Sequence, residues 1–218
     1  MHHEAIDRLR RAGQPRPFQR DDRLMMIGTA SNEVLLLESG VVKVLLSAGN
    51  GSDLIVDLYG CGELIGELGV LSGRPRSATV IGHSGGIAVH IAGAVFRRLA
   101  ERDAGVLMFV NTTLDRRLRN ADERQIAMAS RDVATRVAYQ LLTWAKKHGE
   151  ATPEGTMVRG ITQRELAQAV NASEKTVDDA FRQLRCDGLV VTGRRWYLLP
   201  DAHLLEQLLG RQDWKPGA

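Results

Sequence analysis

The chain has 218 residues, 44% of them hydrophobic and 25% charged, and a formal net charge of +3. That length allows one or two domains with their own cores; no apolar run approaches a membrane span and no signal peptide opens the chain, so a cytoplasmic protein with no membrane partner is expected. Residues 1–104 balance 12 basic against 12 acidic side chains and the small excess lies further on, so composition alone predicts no nucleic-acid partner.

Residues 4–12 place apolar side chains at helical spacing and stop at Gly13, which predicts a short packing helix. From Arg23 the pattern is that of strands: Leu24-Met25-Met26-Ile27, then Val34-Leu35-Leu36-Leu37, then Val41-Val42-Lys43-Val44-Leu45-Leu46 after a Ser39-Gly40 turn. Gly49-Asn50-Gly51 predicts a second hairpin turn, leading into Leu54-Ile55-Val56-Asp57-Leu58. Thr79-Val80-Ile81 and Ile87-Ala88-Val89-His90-Ile91, joined through Ser84-Gly85-Gly86, complete a set of short strands that implies an antiparallel barrel or sandwich. His90 alternates with apolar neighbours and reads as a core or rim histidine rather than a ligand. Cys61 and Cys186, too few for a disulfide framework and unclustered, each read as a small reduced core residue.

Between those strands lies the stretch Gly62-Glu63-Leu64-Ile65-Gly66-Glu67-Leu68-Gly69-Val70-Leu71-Ser72-Gly73-Arg74-Pro75-Arg76-Ser77-Ala78. Gly66 permits positive φ or a close backbone approach, and residues 68–71 can form one helical turn whose orphan N–H groups favour an anion. The Gly73/Pro75 turn folds Arg76 back toward Glu67. A guanidinium fork suits a phosphate, a carboxylate accepts from sugar hydroxyls and the Ser77 hydroxyl adds a phosphate contact, so a ribose cyclic phosphate would use all three. The competing reading is a surface Glu67–Arg76 ion pair around an ordinary turn. Gly66, Glu67, Leu68, Gly69, Arg76, Ser77 and Ala78 fit the phosphate-binding cassette that cyclic-nucleotide-binding domains carry, and that cassette is what this stretch resembles.

A helix is expected over 94–102 and a long one over 105–128, where Leu107, Val110, Leu114, Leu118, Ala121, Gln125 and Met128 recur at three- and four-residue steps while Arg116, Arg117, Arg119, Glu123 and Arg124 lie mostly elsewhere. This predicts a parallel homodimer seam through 105–128, although such a helix can instead pack on its own barrel. Asp132 is placed to cap a helix over 133–148, and the domain boundary is expected there. Residues 149–160 read as a loop or hairpin. Thr162-Gln163-Arg164-Glu165 is a capping box opening a helix to Val170; Asn171 suits a left-handed turn, and Ser173 caps a second helix over 174–185. These make a helix-turn-helix, and the Leu189-Val190-Val191 and Trp196-Tyr197-Leu198-Leu199 strands around Thr192-Gly193-Arg194-Arg195 add a wing. A small protein-binding helical domain is the alternative. A last helix is expected over 201–209.

Order and motifs together resemble the cyclic-AMP receptor protein and fumarate–nitrate regulator (Crp/Fnr) family of bacterial transcription factors over essentially the whole chain. The resemblance implies an α+β architecture: a jelly-roll-like, antiparallel cyclic-nucleotide-binding β-roll (1–104), a dimerisation helix and hinge (105–131) and a winged helix-turn-helix reading double-stranded DNA (132–218). It also implies cAMP or cGMP as regulatory ligand, Gly66, Glu67, Leu68, Arg76 and Ser77 as its contacts, a hinge at Asp132 and Val133, and RNA polymerase as a further partner. Where the family's cyclic-AMP receptor sets Thr and Ser against adenine, this chain has Ala121 and Asp122. A carboxylate at Asp122 suits the paired donors of guanine, unless it is only a solvated charge. Base-reading positions that are Arg, Glu and Arg in that receptor are Glu174, Lys175 and Asp179 here. Glu174 or Asp179 can accept from cytosine, Lys175 can reach guanine, and the Thr176 and Val177 methyls can meet thymine. Ser173 belongs to the same recognition element. Gln163, Arg164, Arg182, Arg185, Arg194 and Arg195 are left to position the phosphates, so a different operator and modest affinity are expected.

Ligand near the dimer helix would select one placement of the winged helices. The rival readings are a rigid regulator with a vestigial cassette and a redox or gas sensor on the same fold. No catalytic constellation, cofactor motif or metal-spaced cluster points to an enzyme.

Overall fold

The computed structural model describes residues 2–47, 53–130 and 132–210, which form two compact units, Met1–Ala121 and Asp122–Ala218. The Gly49-Asn50-Gly51 turn lies outside the described residues.

In the first unit, α1 (His2–Arg11) precedes β1 (Gln14–Phe18), β2 (Arg23–Met25), β3 (Glu33–Ser39), β4 (Val42–Ser47), β5 (Asp53–Tyr59), β6 (Leu64–Ile65), α2 (Glu67–Ser72), β7 (Thr79–Gly82), β8 (Gly86–Ala92) and α3 (Gly93–Arg102). Two antiparallel four-stranded sheets result, in the orders β1-β8-β3-β6 and β2-β7-β4-β5. The unbroken apolar run of β3 follows from burial on both faces. Leu35 and Leu37 point into the roll with Phe18, Val42, Val44, Ile65 and Val80, whereas Val34 and Leu36 pack outward on Leu9, Phe96, Phe109 and Val110 of the helices. β1 was not legible as a strand because Pro15 and Pro17 interrupt it; at a sheet edge beside β8 those prolines cost few ladder bonds.

The long helix α4 (Ala104–Ser130) begins in the first unit and ends in the second. The apolar positions read from its sequence do not all face outward. Val110 is only 2% exposed and belongs with Val106 and Phe109 in the roll's outer core, while Leu107 and Leu118 are 46% and 63% exposed. Asn111, Ala121 and Gln125 are also exposed, and Leu114 is half-buried and packs on the same outer core as Val110. Cys61 and Cys186, expected in cores, are both exposed thiols.

The second unit comprises the end of α4, α5 (Val133–His148), β9 (Glu150–Thr152), β10 (Gly155–Arg159), α6 (Gln163–Ala169), α7 (Glu174–Cys186), β11 (Val191–Gly193), β12 (Trp196–Leu199) and α8 (Ala202–Gly210). Its antiparallel sheet runs β11-β12-β10-β9. Asp132 caps α5 by accepting from the Thr135 N–H at 2.8 Å. Thr162 and Glu165 form the expected capping box, and Asn171 turns the chain at φ 50°. Arg124 donates to the Ala169 carbonyl at 2.9 Å, tying the last turns of α4 to α6. Trp144, Leu141, Leu166 and Leu184 fill the core, and Tyr197 stacks on Phe181 with centroids 5.2 Å apart.

Burial, helped by nearby Glu165, pushes the Tyr197 hydroxyl up from 10.0 to about 12. Its neutral form is favoured in the fold, so the contribution is intact below pH ~10 and is lost as pH rises toward ~12, at a limiting slope of about 1.4 kcal/mol per pH unit. Thermal melts across that range should show the decline, and Tyr197→Phe, which keeps the stack, should reduce its steepness.

Candidate functional site

Gly66 sits at φ 86°, directly before Glu67 opens α2. A Cβ there would lie 2.1 Å from Arg76 Nη1 and 2.8 Å from the Met25 side chain, so only glycine lets the β6–α2 corner close on the arginine. The Arg76 guanidinium, 7% exposed, donates to the Gly66 carbonyl at 3.0 Å and to the Glu33 carbonyl. Burial lowers its pKa, partly offset by Glu33 and Glu67. Gly66, Glu67, Leu68, Arg76 and Ser77 line one cavity of ≈ 160 Å³, together with Met25, Val44, Tyr59, Val80 and Arg117.

Glu67 is 1% exposed, and its direct partner is Arg117 rather than Arg76. Arg117 Nη1 meets Glu67 Oε1 at 2.8 Å, while Nη2 meets Glu63 Oε2 at 3.1 Å and the Leu64 carbonyl. The same guanidinium lies 4.2 Å over the Tyr59 ring. Burial raises the Glu67 pKa, and the Arg117 charge opposes that rise. For Arg117 the attraction of Glu67, Tyr59 and Glu63 outweighs desolvation, the largest single effect, and its pKa is raised.

Asp122 is exposed on α4 in the second unit and is not among the residues lining this cavity. No group of three or more His, Cys, Asp or Glu among the described residues is placed to hold a metal. His90, on β8 between β1 and β3, bonds Glu33 through Nδ1 at 2.9 Å.

On α7, Ser173 caps the helix through the Thr176 N–H at 3.1 Å, and its hydroxyl also meets that of Thr176 at 2.7 Å. Glu174, Lys175, Thr176, Asp179 and Arg182 share the exposed face. Val177 does not: it is fully buried in the core, so its methyls are unavailable to thymine. Arg182 is held by Asp179 at 2.7 Å and Asp178 at 3.7 Å. Gln163 donates to the Glu174 carbonyl at 3.1 Å, Arg185 to Thr192 at 3.0 Å and Arg195 to the Gly160 carbonyl at 3.3 Å. Arg164, Lys175 and Arg194 are exposed cations with no bonded partner among the described residues.

Residues 15–103 match the family model of the cyclic nucleotide-binding domain, and residues 135–208 that of the Crp-like helix-turn-helix domain. The chain belongs to the Crp/Fnr family. The cAMP-activated global transcriptional regulator CRP of Salmonella typhimurium is 30% identical over 165 residues, covering 75% of this chain and 78% of that protein. The CRP-like cAMP-activated global transcriptional regulator of Mycobacterium tuberculosis is 30% identical over 206 residues, covering 92% and 90%. Among solved structures, the c-di-GMP-responsive global regulator CLP of Xanthomonas campestris superposes with a TM-score of 0.78 at 20% identity, over 90% of this chain and 98% of that one, a likeness of fold. This Crp/Fnr chain is thus a transcription regulator with a cyclic nucleotide-binding domain and a helix-turn-helix DNA-binding domain, and its relatives are regulators rather than enzymes.

Sequence reasoning missed Arg117, which it placed only away from the apolar positions of the long helix. The signal was present: Val106, Val110, Thr113 and Arg117 fall on one helical stripe, and the first three are buried against the roll. Replacing Arg117 by Met leaves the Glu67 carboxylate buried without its cation, which should cost about 3 kcal/mol in chemical denaturation. Adding Glu67→Gln should recover most of that loss, since the stranded charge is then gone.

Proposed function

We propose that this regulator is a cytoplasmic homodimer whose DNA binding is gated by cAMP or cGMP held in the β-roll. The observation that carries the reading is the convergence of Gly66, Glu67, Leu68, Arg76 and Ser77 on one cavity: a buried cation for the phosphate, a hydroxyl beside it and a carboxylate for the ribose. The names of the CRP relatives, which describe cAMP-activated proteins, support the same ligand class. At ≈ 160 Å³ the cavity is below the ~300 Å³ of small ligand pockets, so binding must open it, and the Tyr59–Arg117 stack is the part that has to give way.

Two copies would pair along 105–128 through the exposed Leu107 and Leu118 stripe. The Asp132–Val133 corner would then act as hinge, and α7 would enter the major groove. Lys175 would read guanine and Glu174 or Asp179 cytosine, with Ser173 and Thr176 at the groove edge. Gln163, Arg164, Arg182 and Arg195 would contact phosphates, and RNA polymerase would be the further partner. Asp122 would meet the base from the dimer helix, favouring cGMP. A second reading, a ligand-independent regulator, is favoured by the bonds that Glu67 and Arg76 already make inside the closed cavity.

Calorimetric titration with cAMP and cGMP decides between them. Saturable binding that Ser77→Ala weakens and Arg76→Ala abolishes is expected, with Asp122→Ala lowering affinity for cGMP more than for cAMP. Absence of heat and of any spectroscopic change with either nucleotide would leave the ligand-independent regulator.

On the DNA side, Asp179→Asn removes the nearer of the two negative charges that hold Arg182. Non-specific duplex binding should then tighten, with a log–log salt slope steeper by about 1. An unchanged slope in fluorescence anisotropy would place Arg182 away from the phosphates.

A further inference from the structure

The first unit carries a second, larger cavity of ≈ 830 Å³ that the nucleotide reading does not use. Arg11 ends α1, Arg16 lies on β1 and Arg23 opens β2, and all three line it together with Arg76, Glu33 and His90. Gly13 makes the convergence possible: a Cβ there would stand 2.6 Å from the His90 carbonyl oxygen, so the α1–β1 turn closes on β8 only at a glycine.

The charges in this cavity are unbalanced. Neighbouring arginines of the same segments are engaged: Arg8 with Asp103, Arg10 with Glu38 and Asp7, Arg20 with the His83 carbonyl. Arg11, Arg16 and Arg23 are exposed, and among the described residues none of their side chains makes a hydrogen bond or ion pair. Glu33, the single acid in the lining, is bonded to His90 at 2.9 Å. Behind it, Arg76 donates to the Glu33 carbonyl and adds a buried cation to the inner wall. Like charges around one concavity repel one another and raise the local potential for anions.

We propose that this cavity binds a small molecule carrying two linked phosphates. Three open guanidinium forks call for more acceptor oxygens and more charge than one phosphate brings, and forks from separate elements suit the bidentate geometry of phosphate. The volume leaves room for a body attached to those phosphates. The site is distinct from the nucleotide cavity except at Arg76 and Met25, which line both. It stands whether or not a cyclic nucleotide binds.

Inorganic pyrophosphate is the probe, titrated calorimetrically into the full chain at moderate salt. One equivalent per chain should bind, roughly tenfold more weakly in Arg16→Gln and in Arg23→Gln, as expected for losing one charge-assisted fork. Both positions are exposed, and circular dichroism melts check that the fold is retained. Ser77→Ala, in the lining of the other cavity alone, should bind pyrophosphate as the wild type does. Unchanged affinity in both arginine variants, loss of binding in Ser77→Ala, more than one equivalent per chain or no binding would each overturn the assignment. Orthophosphate bound as tightly as pyrophosphate would overturn the two-phosphate class.

Discussion

The first unit is organised by a buried carboxylate that needs a cation. Glu67 opens α2 at 1% exposure, where a lone ionised carboxylate would carry a desolvation cost of several kcal/mol. Arg117 reaches it from α4 and closes the account of charge, with Glu63 and the Leu64 carbonyl taking the rest of its fork and Tyr59 its face. The pair therefore fixes more than a local contact. It sets the rotation of α4 about its axis, placing Val106, Phe109, Val110 and Thr113 on the roll and leaving Leu107 and Leu118 outside. A ligand hydroxyl that approaches Glu67 must share this carboxylate with a helix that crosses the rest of the unit.

Arg76 is held differently, and the difference is chemical. Two backbone carbonyls accept from it without cancelling its charge, and Glu33 and Glu67 act on it only through space. A buried guanidinium bonded to neutral acceptors keeps its attraction for anions, which a carboxylate partner would largely cancel. Its place in the walls of both cavities means that any charge entering one alters the field in the other. The left-handed Gly66 that lets the backbone meet this arginine is thus a requirement of charge placement as much as of turn geometry.

Features whose chemistry is complete within a few residues were legible in the sequence. Gly66, the Thr162–Glu165 capping box, the Asp132 and Ser173 caps and the Asn171 turn each follow from local hydrogen bonding and φ, and the structure has them all. What failed to show depended on partners distant in the chain. β1 is a strand because β8 supplies the other edge, not because Gln14-Pro15-Arg16-Pro17 favours one. Val177 looked like an exposed methyl on a recognition surface, yet at this point of α7 the helix faces its own core. Cys61 and Cys186 were assigned by the average behaviour of their residue type, which says nothing of the surface loop and helix end where they lie.

The long helix shows why periodicity alone could not resolve its seam. A sequence with apolar residues on two adjoining stripes satisfies more than one heptad register, and the register that matters is decided by what already occupies one side. Here the roll takes the stripe of Val106, Phe109 and Val110, so the outward stripe must begin at Leu107 and pass through Asn111 to Leu118. The exposed Asn111 amide keeps that outward stripe from being uniformly apolar. Asn111 thus stands on the outward face at the step where the apolar pattern alone had pointed to Val110.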